Sequence, residues 1–265
     1  MTATAARTWR PPSPWGRPWV GPVVWTAIIA FLVWNVASLQ VDPARIARGF
    51  SRFGTVAAKA FPPSFERFGI LATGVWESIE MATLSTLFGV LLGIPVAVLA
   101  ARNVVPLPVY AGGRLVITLA RTFHELIVAI IFVKAVGFGP LAGTLTLTLN
   151  SLGFFSKLLA EQIETIDRGQ IEAIRATGAS RAKVLIYGVL PQVLPRIVGL
   201  TIYQWDIHLR QSTIIGIVGA GGIGATLYNA FARYDYDFAL AILLVIVAIV
   251  LVGEAVSAIA RKRVQ

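Results

Sequence analysis

The stretch IGIVGAGGIGATL, Ile215–Leu227, decides the fold. Gly219, Gly221 and Gly224 spell G-x-G-x-x-G behind an apolar run, the spelling of a dinucleotide-binding turn. Such a turn needs a strand before it, a helix after it and an acidic residue about twenty positions on, at the tip of a second strand. Asp237 stands near that distance. It opens DFALAILLVIVAIVLVGEAVSAIA, Asp237–Ala260, an apolar run long enough to cross a bilayer. The residues before the glycines continue another apolar helix, and nothing in the chain alternates helices and strands as a doubly wound domain must. The glycines, Gly222 included, read instead as a tight external turn or a close approach between two membrane helices.

Composition supports that reading. The 265 residues are 56% hydrophobic and 14% charged, with a mean hydropathy of +0.75; a soluble domain carries about 25% charged residues. The expected class is an all-α polytopic membrane protein. The chain has no cysteine, which excludes a disulfide framework, a thiolate metal site and a cysteine nucleophile. Its two histidines, His124 and His208, sit in no H-E-x-x-H pattern, and no metal or catalytic site is expected. The formal charge of +10 fits basic cytoplasmic ends and loops better than nucleic-acid binding.

About six spans are expected: Pro22–Leu39, Trp76–Ala101, Gly112–Val136, Pro140–Leu159, Pro195–Val218 and Asp237–Ala260. Residues 1–20, with Arg7, Arg10 and Arg17, read as a flexible cytoplasmic tail, 21–260 as the membrane domain and 261–265 as a basic cytoplasmic tail. An N-terminal signal peptide is the rival reading of the first run, with VAS at 36–38 as its cleavage site. Pro95 is expected to kink the second span, and the Gly, Thr and Ser of the fourth should face other helices. Arg45, Arg48, Arg52 and Lys59 lie among apolar residues, as in an interfacial amphipathic helix. Six spans put both termini and residues 161–192 in the cytoplasm. The basic segment 40–71 then lies outside, against the usual bias.

Residues 167–195 read DRGQIEAIRATGASRAKVLIYGVLPQVLP. Asp167 can cap a helix through Glu172, Ala173 and Ala176, Gly178 can turn the chain, and Ser180 can cap a second helix. Pro191 and Pro195 should break the chain before the fifth span.

This segment resembles the EAA loop of binding-protein-dependent ABC importer permeases, in which Glu-Ala-Ala is followed by Gly six residues after the Glu and then by Ile-x-Leu-Pro. Glu172, Ala173, Gly178, Leu190 and Pro191 fall in register. Ile174 stands where the family usually has Ala, and Gly188 where Ile is common. The likeness covers roughly residues 72–260, and the wording around 132–167 and 190–224 is similar to phosphonate- and phosphate-type permeases. It implies a type I importer architecture, with residues 161–192 coupling to a separate ABC ATPase dimer. It further implies a second copy or sibling permease, an external substrate-binding protein, a phosphonate or phosphate substrate, and residence in the bacterial plasma membrane. ATP and Mg would be held by the ATPase, since this chain has no G-x-x-x-x-G-K-[ST] loop and no cofactor is expected in it. A methionine-type permease is the nearest alternative. A secondary transporter belongs to another class and would show internal repeats.

Ionisable residues within spans are costly and usually face the bundle interior or a wet path. Arg121 and Glu125 stand at i,i+4 in the third expected span, and Asp206 and Arg210 in the fifth, placing each pair on one helix face. They are either two self-neutralising intrahelical pairs or, together with Asn150, the lining of an anion path, where an arginine fork suits a phosphorus oxyanion. Lys134 is expected to snorkel to the surface; Glu77 and Glu80 would either meet the external binding protein or face water, and water is the expectation.

Overall fold

The computed structural model describes residues 19–39 and 42–264; the expected tail 1–20 therefore lies largely outside it, whereas 261–264, expected as a tail, continue the last helix. The described residues are helical throughout, with no strand among them. They divide into two compact units, one ending at Ala58 and one beginning at Lys59.

In the first unit α1 (Val20–Ser38) has no buried residue. It is apolar around its whole circumference, as a helix surrounded by lipid is. In α2 (Pro43–Ala60), again without a buried residue, Arg45, Arg48, Arg52 and Lys59 form one stripe, and Ile46, Phe50 and Phe53 another. Helical spacing separates the two, so the helix is amphipathic, as the sequence leads one to expect.

The second unit is built around α3 (Phe68–Leu99), which runs through Pro95 without interruption. Its buried Gly74, Ser78, Ala82, Ser85, Gly89 and Gly93 recur at three- or four-residue spacing. Small residues in such a stripe let helix backbones approach closely where lipid removes the ordinary hydrophobic drive. Opposite them lies α6 (Pro140–Glu164), whose buried face includes Gly143, Thr146, Ser151 and Ser156. Ser156 donates to the Gly93 carbonyl at 3.0 Å and Ser85 to the Thr144 carbonyl at 3.2 Å. The fourth expected span is thus a 25-residue helix packed on its neighbours.

The third expected span is not a continuous helix. It is α4 (Leu107–Thr122) and α5 (Glu125–Val136), bent by 84°. Phe123 and His124 between them are extended, with ψ of 137° and 141°. The His124 ring accepts from the Leu126 amide at 3.3 Å, capping α5. The fifth span also differs. Beyond α7 (Arg168–Ala176) and α8 (Arg181–Val184), a π-helical turn over Leu185–Val189 leads into α9 (Leu190–Ile215), and the helix continues from Ala182 to Ala220. Pro191 and Pro195 do not break it. Pro191 occupies the first turn of α9 directly after the widened π turn, where its missing N–H removes little. After a second π-helical turn, Gly216–Ala220, come α10 (Gly222–Ala232) and α11 (Tyr236–Val264).

By length and composition four helices can cross a membrane, or five if α4 and α5 form one bent crossing. The expected count of six included α6, which is long enough but carries too many hydroxyls to qualify on hydropathy. Those hydroxyls are spent inside the bundle: Thr144, Thr146 and Thr148 each donate to the carbonyl four residues earlier.

Candidate functional site

The α4–α5 corner separates Arg121 from Glu125. The expected i,i+4 pair does not form, because the two residues stand at the ends of different helices. Glu125 is taken up by amides instead: Asn150 of α6 donates to its Oε2 at 3.3 Å, and Gln211 of α9 donates to the same oxygen. Arg121 makes no ion pair among the described residues. Its stem crosses α6 at Gly153, where a Cβ would stand 2.6 Å from Arg121 Cγ. Arg121, His124, Glu125, Asn150, Gln204 and Gln211 line one open-sided cavity of about 400 Å³, together with Phe123 and Phe154.

Behind that cavity lies a buried polar chain. Thr86 donates to the Ala82 carbonyl at 2.7 Å, so its oxygen accepts from His208 Nδ1 at 2.9 Å, and His208 Nε2 accepts from the Gln204 amide at 2.9 Å. That network assigns the tautomer. The amide oxygens of Gln204 and Gln211 remain buried without a partner among the described residues.

Asp206 and Arg210 do form the expected intrahelical pair, with Asp206 buried and Arg210 half exposed. They do not line the cavity. Gln204 and Gln211, seven residues apart, face it, while Asp206 lies near Gly253 of α11. Gln204 and Gln211 carry no charge and were not expected from the sequence; two amides at two-turn spacing inside a span are the signal it holds.

The 161–192 segment has the helix–glycine–helix plan expected of it. Asp167 accepts from the Gly169 amide at 2.8 Å and caps α7, and Gly178 turns the chain at φ +77°. Glu172, Ala173, Leu190 and Pro191 are exposed, while Ile171, Val184 and Val189 are buried beneath them with Ile163 and Val193. A residue not singled out, Gln192, ties the two arms together. It accepts from the Asp167 amide at 2.9 Å and donates to the Gly188 carbonyl at 2.7 Å. Ile174 and Gly188 prove to be neighbours: a Cβ on Gly188 would lie 3.2 Å from Ile174 Cδ1. One departure adds bulk where the other removes it.

The glycines of the opening stretch serve a sharp chain reversal before α10. Gly219 and Gly221 take φ of +96° and +82°, which only glycine adopts readily. Gly224 packs directly on the Thr213 carbonyl. Gly222 donates its amide to Glu77 Oε2 at 2.8 Å. Glu77, expected to face water, therefore caps the start of α10, where a carboxylate meets unpaired amides; Glu80 is exposed.

With this geometry in place, similarity to known proteins is informative. The sequence model of the family described as the binding-protein-dependent transport system inner membrane component matches residues 93–265, which include the bent corner, α6, the coupling-type segment and the glycine turn. The chain belongs to that family. Among the relatives of this inner membrane component, the phosphite transport system permease protein PtxC of Stutzerimonas stutzeri is 39% identical over 89% of this chain and 85% of its own. The phosphate-import permease protein PhnE of Mycolicibacterium smegmatis is 38% identical over 92% of this chain. The chain spans only 45% of the length of that relative. In fold it is similar to the MetNI methionine ABC transporter in inward-facing conformations, with a TM-score of 0.68 and 24% identity over 76% of this chain and 99% of that one. The fold is that of a type I ABC importer permease.

Proposed function

We propose that this chain is the permease subunit of an ATP-driven importer for a phosphorus oxyanion, phosphonate or phosphate. In this reading it works with a second copy or a sibling permease, an ABC ATPase dimer that binds ATP and Mg, and an external substrate-binding protein. The observation that carries the substrate class is Arg121. The bend holds Glu125 in the amides of Asn150 and Gln211, leaving a permanent cation on the wall of an intramembrane polar cavity. An arginine fork offers two parallel donors to a phosphoryl group. The similarity to phosphite and phosphate permeases supports the same class. Asp206 and Arg210 neutralise each other away from this cavity and contribute to the bundle.

Coupling is assigned to 161–192. Glu172, Ala173, Gly178, Leu190 and Pro191 present an exposed surface on a buried apolar base, suited to a groove on the ATPase. Both termini are placed in the cytoplasm, on the side of the basic tail Arg261–Arg263.

The test is ATP hydrolysis by the complex assembled in lipid, with binding protein and phosphonate, phosphate, phosphite or methionine supplied in turn. Stimulation by a phosphorus oxyanion is expected, together with loss of coupled uptake in Arg121→Gln and of stimulation in Glu172→Ala. Stimulation by methionine alone would overturn the substrate class; full stimulation in Glu172→Ala would remove it from coupling.

A further inference from the structure

Arg121 lines a second cavity as well as the first. This one, about 430 Å³, lies between α4 and α6 and is walled by Arg114, Ile117, Thr118, Arg121, Thr122 and Lys157. Three cations line it and no carboxylate does. Glu164 pairs with Arg114 at 3.0 Å and Glu161 with Lys157 at 3.8 Å, both from outside the wall. The second contact is at the limit of a direct pair, and the Lys157 side chain is 42% exposed.

The two cavities are stacked along one helix face. Asn150, Gly153 and Lys157 follow each other on α6 at helical spacing: Asn150 lines the first cavity, Gly153 carries the Arg121 stem, and Lys157 lines the second. On α4 the step from Arg121 to Arg114 is seven residues, about 10 Å. It runs toward the coupling segment: Arg114 donates to the Ala100 carbonyl at 3.0 Å and pairs with Glu164, the last residue of α6 before Asp167 caps α7.

We infer that the Arg114–Arg121–Lys157 cavity is a second oxyanion site, on the coupling-segment side of the first, and that Arg121 passes a tetrahedral oxyanion from one to the other. The inference deepens the proposed function and rests on it for the direction of travel. Chemistry favours a partly protonated ligand. Thr118 and Thr122 spend their hydroxyl protons on backbone carbonyls, at 2.8 Å each, and keep lone pairs that accept from a P–OH group. The arginines and the lysine supply donors to the ionised oxygens. Since Glu161 and Glu164 offset two of the three cations, the site holds its anion weakly, as a conducting path requires.

The experiment uses the assembled permease–ATPase complex in nanodiscs, with ADP filling the nucleotide sites, and reads the phosphorus-31 line width of millimolar methylphosphonate. Broadening is expected in wild type, weakened roughly tenfold in affinity by Lys157→Gln, as loss of one charge-assisted contact implies, and retained in Lys157→Arg. In proteoliposomes with the binding protein, Lys157→Gln should slow maximal phosphonate uptake while leaving the half-saturating concentration, set by the binding protein, unchanged. No broadening in wild type, or equal broadening in Lys157→Gln, overturns the site. If broadening depends on Lys157 yet the wild-type complex imports no phosphorus oxyanion, the site stands and the transport reading falls.

Discussion

Removing the Gln192 side chain should uncouple the two arms of the 161–192 segment. Nine residues make up α7, and a helix that short is unstable in water without tertiary support. Its first turn is held by the Asp167 cap, and the Asp167 amide is held by Gln192 Oε1 at 2.9 Å. The same side chain donates to the Gly188 carbonyl at 2.7 Å. Each such bond contributes about 1 kcal/mol net. Gln192→Ala removes both, so about 1–2 kcal/mol of local stability is lost, a 5- to 30-fold rise in the open fraction. Hydrogen exchange of the 168–176 amides in the lipid-embedded complex reads this directly and should accelerate by that factor. Exchange in α6 should not change. Substrate-stimulated ATP hydrolysis should fall, because an arm that is loose cannot transmit closure. Gln192→Glu keeps the acceptor for the Asp167 amide and loses the donations to the Gly188 carbonyl and, at 3.5 Å, to the Asp167 carbonyl, so it should fall between. Unaltered exchange over 168–176 in Gln192→Ala would refute the assignment of Gln192 as the tie.

Two further outcomes follow from packing. Gly224→Ala places a Cβ on the Thr213 carbonyl; overpacking of this kind costs about 1–3 kcal/mol, and the unfolding temperature in detergent should drop, whereas Gly112→Ala, with open space around it, should not lower it. Ile174→Ala and Gly188→Ile should each loosen or crowd the coupling segment, and the double substitution should recover stimulated ATP hydrolysis, with a coupling energy of about 0.5–3 kcal/mol for residues in contact. Simple additivity would show that the two positions do not share a space.

The helical class, the helix–glycine–helix plan of 161–192 and the structural use of the glycines were legible because each rests on local signals: run length, caps at Asp167 and Gly178, and the conformations that only glycine takes. The bend after Thr122 was not legible. Nothing at Phe123–His124 is a glycine or proline, and the break is sustained by partners remote in sequence, Asn150 and Gln211, which hold the first residue of α5. For the same reason the pairing Arg121–Glu125, correct for a continuous helix, fails. Pro191 misled in the opposite direction. It punctuates a sequence strongly, yet a preceding π turn lets the helix pass through it. The role of Glu77 was hidden because its partner is a backbone amide 145 residues away.

The bend and the arginine on the cavity wall are one device. Were α4 and α5 continuous, Arg121 and Glu125 would share a helix face and neutralise each other, and the span would present no net charge to a passing anion. Bending by 84° turns Glu125 toward uncharged amide donors, which stabilise its carboxylate without bringing a second positive charge. It leaves Arg121 on the wall between a mixed cavity and a basic one. The extended Phe123 and His124 interrupt the helical hydrogen-bond ladder, which is costly where no water can replace it, although the His124 carbonyl still accepts from the Ile127 and Val128 amides. The His124 cap on α5 meets part of that cost. Interrupted membrane helices are tolerated where they line a cavity, and here the cavity is the one that the interruption itself creates. Under the proposed function, a substitution that straightened the corner would return Arg121 to Glu125 and slow oxyanion uptake in proteoliposomes; uptake at the wild-type rate would show that the bend is not what keeps the two apart.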